Sequence, residues 1–230
     1  MRQMRLVLLI VAMVVLGLGT LAGTRQASAL TEQEELVQRA TIAVTSLKNF
    51  NDVGVIRPYI KGARAVVIIP SFVKAGFIVG GAHGEGVIIG RNTKTGAWRY
   101  PAFISLTEGS LGLQIGVDES EIMMVVLTEK GMNALLHNGV KLGAEAGIAI
   151  LTIGAGREGS TTTAVGADVV TFARSKGLFA GLSIEGAVLS QDQAANTVYH
   201  GKAYSTKQLV TTDVRGNRGA DGLRSALGGY

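Results

Sequence analysis

The sequence predicts an α+β fold. It expects one domain built on a multi-stranded, mostly antiparallel, glycine-rich sheet or barrel, flanked by N- and C-terminal helices. Three observations lead there. Apolar residues recur at spacings of three and four between Leu36 and Phe50, and closing helical signals come at Asp192–Tyr199 and Ser205–Val210. Between them lie short apolar or alternating runs of strand length. Thirty-two glycines against three prolines in 230 residues break those runs with turns.

Met1-Arg2-Gln3-Met4-Arg5, the apolar run Leu6–Leu18 and the small-residue site Ala27-Ser28-Ala29 make residues 1–29 a signal peptide by pattern. Cleavage is expected near Ala29. An uncleaved N-terminal membrane anchor is the alternative, because Leu6–Gly23 is near the length of a bilayer span. Either outcome places the domain outside the cytoplasm, in a periplasm or secreted. The whole chain carries 22 Lys and Arg against 17 Asp and Glu. Loss of Arg2, Arg5 and Arg25 leaves 19 against 17, so no charge bias remains to argue for nucleic acid. The absence of cysteine excludes disulfides, a lipobox anchor, thiolate metal sites and cysteine nucleophiles.

Thr31 and Glu34 form a capping box that opens a helix over Thr31–Phe50, with Leu36, Ala40, Ala43 or Val44, Leu47 and Phe50 as its core stripe. A short helical piece follows at Ile56–Ile60, then Lys61–Arg64. Ala65–Ile69 reads as a buried strand stopped by Pro70. Phe72–Ala82 and Gly86–Arg91 read as a strand pair joined by Ala82-His83-Gly84-Glu85. Asn92–Gly96 is a hairpin turn before Trp98 and Tyr100. Leu111, Leu113, Ile115 and Val117 alternate with small or polar residues as one strand. Further strands are expected at Ile122–Leu127, Glu145–Ile153, Ala167–Phe172 and Gly181–Leu189, with a short helix from Thr128 to Leu136. Beyond about Val214, three arginines and five glycines read as a mobile tail over 214–230.

Little of this carries chemistry. Gly154-Ala155-Gly156-Arg157-Glu158-Gly159 matches G-x-G-x-x-G, yet Ser160-Thr161-Thr162-Thr163 follows where a phosphate-binding helix would have to begin. His83, His137 and His200 have no metal-ligand spacing. Gly181-Leu182-Ser183-Ile184-Glu185 lacks the last glycine of a nucleophile elbow. Glu85, Glu108 and Glu185 stand in apolar strand contexts, either as acid/base groups or as ion-pair partners of Lys74, Arg174 or Lys176. No enzyme, cofactor or metal is expected.

The glycine pattern resembles a known family. The carrying motifs are Lys74–Gly81, Gly84–Val87, Gly96-Ala97-Trp98, Pro101-Ala102-Phe103, Gly112–Gly116, Lys141–Ala144 and Gly154–Arg157. The longest is Arg174–Leu189, and Tyr199-His200-Gly201-Lys202 closes the series. Together they resemble SYLF domains over roughly residues 35–212, within a domain read as 30–213. The resemblance implies a lipid-binding domain. Eukaryotic relatives recognise phosphoinositides or other anionic lipids and act with actin filaments, with membrane contact through a helix ahead of the core. Here the export signal, and a sequence without SH3 or FYVE segments, make actin an unexpected partner. The Thr31–Phe50 helix has only Arg39 and Lys48 as cations behind an acidic first turn, a poor match to an anionic membrane. The residues nominated to meet lipid headgroups are Lys74, Arg174 and Lys176, together with Lys61 and Arg64. Expected partners are a membrane phospholipid or an envelope protein. The alternative is a structural or protein-interaction module of the cell envelope.

Overall fold

The computed structural model describes residues 30–48, 53–76, 79–111, 116–143, 147–153, 166–175, 178–179 and 184–230. The leader expected over 1–29, Phe50, Lys176 and the glycine loop 154–159 lie outside them.

Helix α1 (Glu32–Lys48) starts at the expected capping box. Its Glu34 N–H donates to Thr31 Oγ1 at 3.2 Å, and the Thr31 N–H donates to Glu34 Oε2 at 2.9 Å. Leu36, Ala40, Ala43, Val44 and Leu47 are all buried, so the stripe faces the core. Helix α2 (Val53–Gly62) follows and turns Ile56 and Ile60 inward.

The sheet comprises β1 (Ala65–Gly76), β2 (Val79–Arg91), β3 (Trp98–Leu111), β4 (Gly116–Val126), β5 (Val140–Lys141), β6 (Ile150–Ile153), β7 (Val169–Ser175), β8 (Leu178–Phe179) and β9 (Val188–Gln191). Its order is β5-β9-β3-β2-β1-β4-β7-β6, with β8 on β7, in a curled half-barrel. Every pairing is antiparallel except β6 with β7. Helices α3 (Glu129–Leu135), α4 (Gln193–His200), α5 (Thr206–Thr211) and α6 (Asp221–Gly228) complete the described elements.

Both faces of the sheet are covered, which is why β1 and β4 read as continuous apolar runs rather than alternating ones. On one face Val66, Ile68, Val125 and Phe172 meet α1, α2, α4 and α6. On the other, Val67, Ile69, Met124 and Val126 meet α3, α5 and the segments around Leu142, Ile148 and Ile184.

Four expectations change. Pro70 does not end β1; it sits in a register break between Ile69 and Phe72, where a missing N–H is tolerated. Residues 82–85 are not a turn but the middle of β2, paired with β3 throughout. Gly84 and Gly86 are there because a Cβ would stand 2.5 Å from Ser71 O and 2.3 Å from Ile68 O, backbone atoms of the bulged β1. The run from Leu111 to Val117 is divided: Leu111 ends β3, and β4 starts at Gly116. Of the strands expected at 145–153 and 181–189, the described residues hold β6 and β9, with Gly186 in a turn at φ +87°.

The segment 214–230, expected as a mobile tail, is folded. It forms a short 3-10 turn (Arg218–Ala220) and α6, which buries Leu223, Leu227 and Tyr230 against α1. The Tyr230 hydroxyl donates to Val44 O at 2.9 Å. Leu223, Ala226, Leu227 and Tyr230 recur at helical spacing, a stripe hidden by the surrounding glycines.

Candidate functional site

Helix α2 lies on the sheet by Ile56 and Ile60 and turns Val55, Arg57, Pro58 and Lys61 to solvent. Arg57 and Lys61 are four apart, hence on one helical face. The Arg91 guanidinium fastens the end of α2 to the β2–β3 turn. Its Nη1 donates to the Lys61 carbonyl, its Nε donates to Gly96 O at 2.9 Å, and its carbon lies 5.5 Å from the Trp98 ring centroid. That turn is shaped by the Asn92 side chain, which accepts from the N–H groups of Lys94 and Thr95 at 3.0 and 3.2 Å. The turn that carries Lys94 is thereby tied to the end of α2 through Arg91. Arg64 joins them at the entry to β1, where its N–H donates to Val126 O at 2.8 Å.

Arg57, Lys61, Arg64 and Lys94 make no ion pair among the described residues. Two carboxylates near this end are already engaged. Asp213 accepts from Arg99 Nε at 3.0 Å and from Asn92 at 2.9 Å. Asp168 accepts from the Thr128 hydroxyl, the Ala149 N–H and Lys130 Nζ. Those donors, the Thr128 hydroxyl foremost, hold its carboxyl below the usual range.

The nominated headgroup residues separate. Lys61 and Arg64 belong to this basic end. Lys74 and Arg174 lie toward the opposite end of the sheet and on opposite faces, because Lys74 alternates with Phe72 of one core cluster and Arg174 with Phe172 of the other. Lys74 Nζ bonds Glu108 Oε1 at 3.0 Å, one of the ion pairs the sequence allowed. Arg174 bonds Glu121 and donates to Ser46 Oγ at 2.9 Å with a side chain only 10% exposed. Lys176 lies outside the described residues. Arg57 and Lys94 were not nominated, although the sequence carries a signal: between Asp52 and Glu108 stand seven Lys and Arg and one acid, Glu85.

A second concavity, of about 600 Å³, opens between α1 and the far parts of β1–β3, lined among others by Leu36, Arg39, Val73, His83, Glu85 and Thr107. His83 Nδ1 lies 3.2 Å from Thr107 Oγ1. Its rim mixes one cation with carboxylates, and no hydroxyl there is paired with a histidine and a carboxylate in the manner of an activated nucleophile. Among the described residues no three His, Asp or Glu side chains are grouped to hold a metal. His137 is exposed after α3, Glu185 is exposed in the turn before β9, and His200 serves the packing of the C-terminal segment.

A family model described as Ysc84, Las17-binding protein actin regulator, matches residues 107–230, from the end of β3 through α6. The chain belongs to the Ysc84 (SYLF) family. It is similar to the protein YSC84 of Saccharomyces cerevisiae, 30% identical over 177 residues, covering 75% of this chain and 37% of that protein. The SH3 domain-containing YSC84-like protein 1 of Xenopus laevis is 29% identical over 149 residues, 64% of this chain and 44% of the relative. The human protein of the same name is 30% identical over 139 residues, 60% and 40%. The chain spans less than half the length of these Ysc84-family relatives. The match includes α6, so the C-terminal helix is part of the family's domain rather than an appendage.

Proposed function

We propose that the protein is a non-enzymatic lipid-binding module of an extracytoplasmic compartment that meets anionic phospholipid headgroups with its α2 end. The observation that carries this reading is the set of four cations, Arg57, Lys61, Arg64 and Lys94, gathered without carboxylate partners among the described residues. Exposed Val55 and Pro58 lie beside them. Each cation near an anionic surface contributes about 1 kcal/mol, so four support reversible, salt-sensitive attachment rather than a permanent anchor. The compartment rests on the leader pattern of residues 1–29.

Vesicle flotation of residues 30–230 tests it. Binding to anionic vesicles that falls with salt, and is absent from zwitterionic ones, is expected. Absence of flotation under every condition overturns the reading.

A second reading, a protein-interaction module, is favoured by the family's description as Las17-binding and by a relative named LAS seventeen-binding protein 3 in Saccharomyces cerevisiae. An envelope partner captured by the chain without any vesicle binding would favour it.

A further inference from the structure

The C-terminal segment is attached to the sheet through one titratable ring. His200 ends α4 with its imidazole between β3 and the strap that leads to α6. Its Nδ1 faces the Asn217 backbone N–H at 3.1 Å, and its Nε2 faces Pro101 O at 2.9 Å. A backbone N–H can only donate, so Nδ1 must carry a lone pair and Nε2 the proton. Only the neutral ring in that one tautomer satisfies both contacts.

Asn217 in turn caps the turn ahead of α6. Its side chain donates to Tyr199 O at 2.8 Å and accepts from the Gly219 N–H at 2.8 Å. The strap lies flat on β3, because a Cβ at Gly216 would stand 2.5 Å from Tyr100 Cγ.

We propose that His200 is an acid-sensitive latch: protonation at Nδ1 sets a donor against the Asn217 N–H and loosens residues 214–230 from β3 and α1. The inference stands apart from the lipid reading. Burial holds the imidazole below its ordinary value of 6.5 while the segment is docked. Docking is therefore fully supported above that value and weakens as pH falls below it, by up to about tenfold per unit.

The ring's neighbours do not reverse the sign. Tyr100 from β3, Tyr199 from α4 and Tyr204 from the following loop surround it edge-on. The cation Arg224 lies over Tyr100 at 4.5 Å and donates to Trp98 O at 2.8 Å. Arg215 offers its carbonyl to Tyr204, and Lys202 is exposed two residues on. Asp221 is held by Arg224 and Arg218, and it and Glu34 of α1 act on Tyr199. No carboxylate among the described residues reaches the imidazole to compensate its charge.

Loosening would uncover the α1 stripe that Leu223, Leu227 and Tyr230 now cover. Hydrogen exchange on the full chain, corrected for intrinsic rates, from about pH 8 to about pH 5 is the test. Protection of residues 217–228 is expected to fall by up to about tenfold per unit below the ordinary histidine value, with the β1–β4 core unchanged. In His200→Gln the amide N–H can still donate to Pro101 O and the amide oxygen can accept from Asn217, so protection should become independent of pH. Should that variant not fold, the ring nitrogen shifts of the unaltered protein decide, read beside the Asn217 amide. Protection that ignores pH, a Gln variant that loses it as the parent does, or a ring that titrates without moving the Asn217 amide overturns the latch.

Discussion

The two ends of the sheet hold the same residue types in different states. At the end where Ala65, Val126 and Val169 stand side by side, Arg57, Lys61, Arg64 and Lys94 face solvent without ion pairs among the described residues. At the other end the strands carry Glu108, Asp118, Glu119 and Glu121, and the cations there are taken up within the sheet: Lys74 by Glu108, Arg174 by Glu121. A lysine or arginine is informative about partners only once the carboxylates in its reach are counted. By that measure the α2 end can attract an anionic surface, while the residues named at the other end, four carboxylates against two cations, leave an acidic excess.

The largest effect expected is on binding. Replacing Arg57, Lys61 and Lys94 together by glutamate removes about 3 kcal/mol of headgroup attraction, roughly a hundredfold in vesicle affinity. The urea midpoint should hardly move, because the three side chains touch little of the core. Normal flotation by this variant would break the distinction between the two ends.

Arg174→Met comes next and should act on stability alone. It strips Glu121 and Ser46 of their donor, at a cost of about 1–2 kcal/mol in the unfolding free energy measured in urea, limited because water reaches a Glu121 side chain 37% exposed. Flotation should match the parent. A loss of vesicle binding without loss of stability would return Arg174 to the headgroup site.

Asp168 sharpens the comparison from the other side: it is a carboxylate at the basic end that does not neutralise it. Its folded value is lowered, so its contribution is present above the ordinary carboxylate value and disappears as pH falls through the folded one. Asp168→Asn should lower the unfolding free energy measured in urea at neutral pH by about 1–3 kcal/mol and flatten the acid limb of the stability profile. An unaltered acid limb would mean that other carboxylates dominate there.

Much of this architecture was legible, and the misses share a cause. The capping box at Thr31, the Thr128 cap of α3, the Asn92–Gly96 turn and helices α4 and α5 depend on contacts within a few residues, and the sequence displays them directly. What failed was decided across strands. Gly84 and Gly86 look like a turn until the bulge at Pro70 brings the β1 backbone against them. The α6 stripe is diluted by Gly222, Gly228 and Gly229 until α1 supplies its other half. The candidate site was half legible: Lys61 and Arg64 were named, while Lys74 and Arg174 required knowing which glutamates stand beside them.

The smallest effect belongs to Lys74→Gln. The pair it breaks is partly open, with Lys74 27% and Glu108 13% exposed. Glutamine can still donate one N–H toward Glu108 Oε1, so the charge is lost while part of the hydrogen bonding remains. Glu108 Oε2, however, is shielded from solvent and has no hydrogen-bond partner among the described residues, so the carboxylate depends on that single donor. A loss of about 0.5–1 kcal/mol in the unfolding free energy measured in urea is therefore expected, with vesicle binding unchanged at any salt concentration. Were binding to fall in step with that lysine's charge, Lys74 would be meeting headgroups despite its partner, and unpaired charge would no longer be the criterion separating the two ends.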